Sequence, residues 1–181
     1  MSSEEILVRQ AIDGNQLAFT QLYEEYFNRV YRYIYLRVNS QPEAEDLTQE
    51  VFIKALQAIG SYKWKGTPFV AWLFRIAHNQ LIDHLRKKTK EKTTTLDEAI
   101  TVVAKEDPVV MTEQKIEVEE LATALDRLTL AQREVVSLRF IAGLSIAEVA
   151  KALGKSEGTV KALQYNGTIS LKRVISEAGN G

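Results

Sequence analysis

The chain has no cysteine, which excludes disulfides, thiol redox sensing and cysteine-ligated zinc. Its two histidines, His78 and His84, flank Asp83, but the three are separated by five, one and six positions. A helix brings ligands together at spacings of three and four, so no metal is expected. No glycine-rich phosphate loop follows a strand, and no serine or histidine constellation suggests a nucleophile. Neither a catalytic residue nor a cofactor is therefore expected. Met1-Ser2-Ser3-Glu4-Glu5 lacks the basic and apolar segments of a signal peptide, and no apolar run approaches membrane length. The reading is a cytoplasmic protein without membrane insertion.

Strong net charge is also lacking: the 181 residues sum to −1. Divided along the chain, that near-neutrality is an alternation. Residues 1–60 carry net −4, 61–92 carry +6, 93–125 carry −6 and 126–181 carry +3. Local fields govern binding more than the total, so two basic surfaces are compatible with a nucleic-acid partner.

The most informative stretch is Gly143 to Leu163. Ser145 and Glu148 have capping-box spacing, and Ile146, Val149, Ala150 and Leu153 make one narrow apolar face. Gly154 suits the left-handed residue that ends a helix, and Ser156 suits the cap of the next, with Glu157 in its positive first turn. Ala150 is small where two helices would cross, and Val160 and Leu163 return to the same core. This spacing predicts a helix-turn-helix, whose second helix enters the DNA major groove. An αα-hairpin that only packs is the plainer alternative.

Upstream, Ser2 and Glu5 predict a short first helix closed by Gly14. A longer one from Asn15 carries Ala18, Phe19, Leu22, Tyr23, Tyr26, Phe27, Val30, Tyr31, Ile34, Tyr35 and Val38 on one stripe. The tyrosines read as core with hydroxyls at the rim rather than as a base-stacking platform. Pro42 opens a third helix, with Ala44, Leu47, Val51, Phe52, Ala55, Leu56 and Ile59 inside and Gly60 at its end. Its other face carries Glu43, Glu45, Asp46, Gln49 and Glu50, either a solvated first turn or a docking surface for a basic partner.

Residues 60–67 interleave Tyr62 and Trp64 with Lys63 and Lys65. Thr67 and Pro68 open a long fourth helix with Phe69, Trp72, Leu73, Ile76, Ala77, Leu81, Ile82 and Leu85 as its apolar pattern. Arg75, His78, Asn79, Asp83, Arg86, Lys87 and Lys88 lie on its other faces. Aromatics beside arginine and amide side chains suit single-stranded nucleic acid, by stacking and phosphate neutralisation. Basic residues at a helix C-terminus also simply complement its dipole. Both readings stand on the residues alone.

From about Glu91 to Thr112 periodicity fades into an acidic linker marked by Thr93-Thr94-Thr95 and Asp107-Pro108. Its apolar Ile100, Val102, Val103, Val109 and Val110 suit docking onto the rest of the chain. A last helical block begins near Thr112, with Ile116, Leu121, Leu125 and Leu128 on one stripe. Thr129 and Gln132 give a further capping box, and Val135, Val136, Leu138 and Phe140 line the helix before the helix-turn-helix. With no convincing strand, the expected fold is all-α, two small helical domains joined by a linker.

Three motifs, in order, resemble the bacterial extracytoplasmic-function (ECF) sigma factors. They are Ala44-Glu45-Asp46-Leu47-Thr48-Gln49-Glu50-Val51-Phe52-Ile53-Lys54-Ala55, the helix Phe69 to Arg86, and Leu128 to Lys161 with Gln132-Arg133-Glu134 and Ser156-Glu157-Gly158-Thr159-Val160-Lys161. The resemblance covers nearly the whole chain outside the linker. It implies a region-2-like domain over 1–90, a linker over 91–112 and a region-4-like domain over 113–181. It further implies a subunit that directs core RNA polymerase to promoter DNA and is held in check by an anti-sigma factor. Asp46, Gln49 and Glu50 would dock on the coiled coil of the largest polymerase subunit. Lys63, Trp64, Lys65, Trp72, Arg75, Asn79, Asp83, Arg86 and Lys87 would hold the melted −10 strand with one base flipped out. Lys155, Ser156, Glu157, Thr159, Lys161, Gln164 and Tyr165 would read the −35 element from a recognition helix spanning 156 to about 171.

Two departures stand out. His78 stands where the family commonly has arginine. After Lys161 the recognition helix has no charge until Lys172, and Gly167 weakens it by about 1 kcal/mol relative to alanine. A DNA-binding regulator that does not join polymerase would share the helix-turn-helix but leaves the first two motifs unexplained. A helical phosphohydrolase using Asp83 and His84 is a more distant alternative.

Overall fold

The computed structural model describes residues 1–94 and 113–180. Among these there is no strand; eight α-helices form two units. The first unit holds α1 (Ser3–Ile12), α2 (Gln16–Val38), α3 (Gln41–Ala58) and α4 (Phe69–Thr94), with a 3-10 turn over Ile59–Ser61. The second holds α5 (Glu113–Asp126), α6 (Leu130–Val136), α7 (Ile146–Leu153) and α8 (Glu157–Gly179), with a π turn over Ser137–Ile141 continuing α6.

Local chemistry sets the ends. Ser2 Oγ accepts from Glu5 N at 3.1 Å, and Asn15 Oδ1 accepts from Ala18 N at 3.2 Å. Asn39, at φ 51°, closes α2 in the left-handed region that asparagine tolerates better than most residues. Of the three pairs with capping-box spacing, Thr129 with Gln132 and Ser145 with Glu148 form complete boxes that each satisfy two orphan donors, whereas at α1 the Ser2 half is the one that forms. Gly154 ends α7 at φ 64°, and Ser156 caps α8 through the Thr159 amide at 3.1 Å.

Several expectations are corrected. The fourth helix persists through Thr94, past the point where its apolar period fades, and the recognition helix runs to Gly179 rather than to about 171. Leu56 is 52% exposed and Phe140 57% exposed, although both were expected inside. Leu56 falls at the margin of the α3 stripe. The π turn adds a residue to the helical circuit, and Phe140 in that turn faces outward. The apolar linker residues Ile100, Val102, Val103, Val109 and Val110, and the side chain of Ile116, lie outside the described residues.

Helix α2 is buried on a second side that its main stripe does not announce. Tyr33 is buried, its ring edge-on to the buried Phe74 with centroids 5.8 Å apart. Leu36 packs into a small cluster with Ala122, Leu125, Leu128 and Val136 of the second unit. The main apolar cluster likewise continues from Leu22, Val30, Phe74 and Leu81 into Val135, Leu138, Leu144, Val149 and Val160. The two units therefore share a core.

Gly167 has a specific packing role. A Cβ built there would lie 2.9 Å from Val136 Cγ2 and 3.3 Å from Gln132 Cβ. Its lower helix propensity accompanies the close approach of α8 to α6.

Candidate nucleic-acid and polymerase interfaces

On α3, Leu47, Val51, Phe52 and Ala55 face the core, which turns Asp46, Gln49 and Glu50 outward together, all exposed. Gln49 Nε2 donates to the Tyr23 hydroxyl at 2.9 Å, fixing one member of this face to α2. At the start of the same helix Glu43 ties α3 to α4. It accepts from Lys88 Nζ at 3.1 Å and lies 3.2 Å from His84 Nε2. Partial burial raises the Glu43 pKa, and the hydrogen bonds from Lys88 and His84 outweigh it, leaving the carboxyl below its ordinary value.

The loop after α3 is built on aromatics. Tyr62 is buried, and its hydroxyl donates to the Thr67 carbonyl at 2.6 Å, closing the loop. Burial, then the charge of Glu4, pushes its pKa up to about 12. Trp64 stands edge-on to Tyr62 at 5.9 Å and remains 38% exposed, between exposed Lys63 and Lys65. Trp72 lies half-buried against Tyr62 and Phe69, at 5.1 and 5.7 Å. Its ring supports the loop from beneath.

Between α3 and α4 lies an open cleft of about 530 Å³ lined by Lys54, Gln57, Ile76, Asn79, Gln80 and Asp83. Asn79 and Asp83 come together as expected. Lys54 and Gln57, opposite them, went unread; their signal was a polar pair at i and i+3 between the buried positions of α3. Arg86 and Lys87 are exposed one turn further along α4. Arg75 is engaged elsewhere, donating to the Lys151 carbonyl near the end of α7. His78 and His84 point to different carboxylates, Glu134 and Glu43.

In the second unit Lys155, Ser156, Glu157, Thr159, Lys161 and Tyr165 are all exposed on the N-terminal turns of α8, Tyr165 at 69%. Ser156 Oγ is occupied by capping and by the Thr159 hydroxyl at 2.8 Å. Gln164 is half-buried, accepting from Arg139 Nε at 2.9 Å. Val160 and Leu163 turn inward against α7, so the groove-facing side of α8 is set by its own packing.

A helical chain with a capped helix-turn-helix behind a domain that carries a basic, aromatic-bearing segment has the features of a DNA-binding protein. The sequence matches Sigma-70 region 2 over residues 22–91 and Sigma-70, region 4 over residues 118–165. It is 40% identical over 175 residues to the ECF RNA polymerase sigma factor BldN of Streptomyces coelicolor, covering 94% of this chain and 65% of BldN. It is 34% identical over 160 residues to the ECF RNA polymerase sigma factor SigX of Bacillus subtilis, covering 86% and 82%. The fold resembles CnrH, solved with the cytosolic domain of CnrY, at TM-score 0.78 and 26% identity over 97% of this chain and 99% of that one. The chain belongs to the ECF RNA polymerase sigma factors. Members of this family are DNA-binding transcription initiation factors, not enzymes. Among the described residues no helix is long and apolar enough to cross a membrane.

Proposed function

We propose that this chain binds core RNA polymerase in the cytoplasm and directs it to a set of promoters. The observation that carries this reading is the pairing, in order in one chain, of the region-2 and region-4 matches. Asp46, Gln49 and Glu50 dock on the coiled coil of the largest polymerase subunit. Their exposure on one face of α3 supports the assignment. The Trp64 loop and Trp72, Arg75, Asn79, Asp83, Arg86 and Lys87 take the melted −10 strand, with Lys63 and Lys65 beside it. A cleft of about 530 Å³ suits one extruded base, and the partly exposed Trp64 indole suits a stacked one. Binding the unpaired strand better than duplex shifts the melting equilibrium without catalysis.

The exposed side of α8 reads the −35 element. With Lys155 and Lys161 as its only cations before Lys172, the salt dependence of this contact is shallow, since each neutralised phosphate adds a slope of about −0.9. Attachment to the first domain through residues 91–112 compensates by raising local concentration. An anti-sigma factor restrains the chain. CnrH has been solved with the cytosolic domain of CnrY, which supports a protein partner of that kind. Run-off transcription with core enzyme and a promoter library tests the reading: specific initiation should require this chain. Replacing Asp46 and Glu50 by lysine should abolish core binding while helicity is retained. Undiminished core affinity would remove the docking assignment.

A further inference from the structure

What α8 buries fixes its rotation about its own axis. Val160 and Gly167, seven positions apart, are its buried residues, Val160 in the main core and Gly167 against Val136 and Gln132 of α6. Seven residues are close to two helical turns, so the pair marks one inward line, with Leu163 and Gln164 half-buried beside it. The outward arc carries Gly158, Lys161, Ala162, Tyr165, Asn166 and Ile169, all exposed. Several polar side chains near the start of this helix are already engaged. Ser156 Oγ accepts from the Thr159 amide and meets its hydroxyl, and Gln164 Oε1 accepts from Arg139 Nε, which turns that carbonyl toward the π turn. Asn166 differs. It stands in the open, and among the described residues its amide meets no hydrogen-bond partner.

Gly158 is equally unaccounted for by the fold. It is not one of the left-handed glycines, and a Cβ built there would meet nothing within 4 Å. Neither backbone conformation nor internal packing calls for glycine at this position, in contrast to Gly167. What it provides is room for an external surface to approach the helix backbone. Ala162, four residues on and also exposed, extends the same thin line.

We propose that Asn166 is a further specificity-determining residue, which reads an adenine of the −35 element with its amide: the NH2 donates to N7 and the carbonyl accepts from the N6 amino group. The inference rests on the function proposed above and narrows it to a base. Asparagine is short, so its amide reaches a base edge only where the helix backbone lies deep in the major groove. The line of Gly158 and Ala162 permits that depth. Asn166 lies five residues beyond Lys161, about 7.5 Å along the axis at about 1.5 Å per residue, or roughly two base pairs. Tyr165, 69% exposed, and Ile169 flank it with apolar surface that suits thymine methyl groups. Guanine is most often read by arginine or lysine, and α8 has no cation between Lys161 and Lys172. An amide among apolar neighbours therefore favours an A·T pair at this point of the element.

The test uses the full chain with core polymerase and promoters randomised across the −35 element, reading which sequences support initiation. The unaltered chain should enrich adenine at one position of the element. Asn166→Ala should lower that preference by about fivefold to a hundredfold, while the other positions and the salt slope stay as they are. Asn166→Arg should move the same position from adenine toward guanine, a gain that loss of stability cannot produce. Circular dichroism checks that both variants, altered at an exposed residue, stay folded. An equal loss on every sequence would overturn the assignment in favour of a phosphate contact. Base preferences unchanged in both variants would overturn it outright. A wild-type chain that confers no specific initiation would defeat the proposed function as a whole, whereas a clear −35 preference indifferent to Asn166 would sink this inference alone.

Discussion

The two units solve the same problem with different materials. The first packs tyrosine and phenylalanine: Tyr26, Tyr33, Phe52, Phe69 and Phe74 are buried, and the recorded ring–ring contacts all lie between Tyr23 and Phe74. The second buries leucine, valine and alanine, and leaves Phe140 and Tyr165 in the open. Its helices α6 and α7 are seven and eight residues long, too short to stand by propensity. Capping boxes and a shared core replace the bulk it lacks. The first unit thus brings ring bulk to the shared core, and the second brings short, boxed helices with small aliphatic side chains.

The largest test of that contrast is Phe74→Ala. It removes a fully buried ring between α2 and α4 and should cost about 3–5 kcal/mol by denaturant unfolding. A loss no greater than that of a cap variant would break the comparison. Acid should act next, on the joint between the units. Burial raises the Glu134 pKa, but the hydrogen bond from His78 and the charge of Arg37 more than offset it and hold the carboxyl at about 2, below its ordinary 4.5. Because the folded value is depressed, its contribution is complete above 4.5 and is lost as pH falls toward 2. Distances between two spin labels, one on each unit, should therefore lengthen in that window, and a Glu134→Gln chain should lack this part of the response.

Gly167→Ala sharpens the comparison within the second unit. The alanine gains about 1 kcal/mol in helix propensity but forces Val136 and Gln132 away. Overpacking of this kind costs about 1–3 kcal/mol, so thermal melting should show net destabilisation. Unchanged or higher melting would mean the α6–α8 contact yields freely. Smallest are the caps: Thr129→Ala and Ser145→Ala should each cost about 1 kcal/mol, against a few tenths for exposed positions elsewhere on the same helices.

Caps and turns were the most legible features, because they depend on residues three or four positions apart. Ser2, Asn15, Thr129, Ser145, Gly154 and Ser156 all occupy the ends assigned to them. The α3 face of Asp46, Gln49 and Glu50 was legible for the same reason, lying opposite a clear stripe. The second buried side of α2 was not. Tyr33, Leu36 and Arg37 fall off its main period, and an arginine in sequence reads as solvent-facing until a carboxylate far along the chain is seen to meet it. Glu134 was visible only as part of a motif, with no sign that it would be buried. Long-range pairing of opposite charges leaves no periodic trace.

Helix α6 carries one more implication. Its two turns touch the recognition helix through Gly167 and the first unit through Glu134. It is thus common ground for two binding events, and equilibrium coupling between such events is reciprocal. If the Glu134 contact and −35 binding are coupled by some factor, a bound −35 duplex shifts that contact by the same factor. On the proposed reading, promoter DNA is then not only the target of this chain but an effector of its shape.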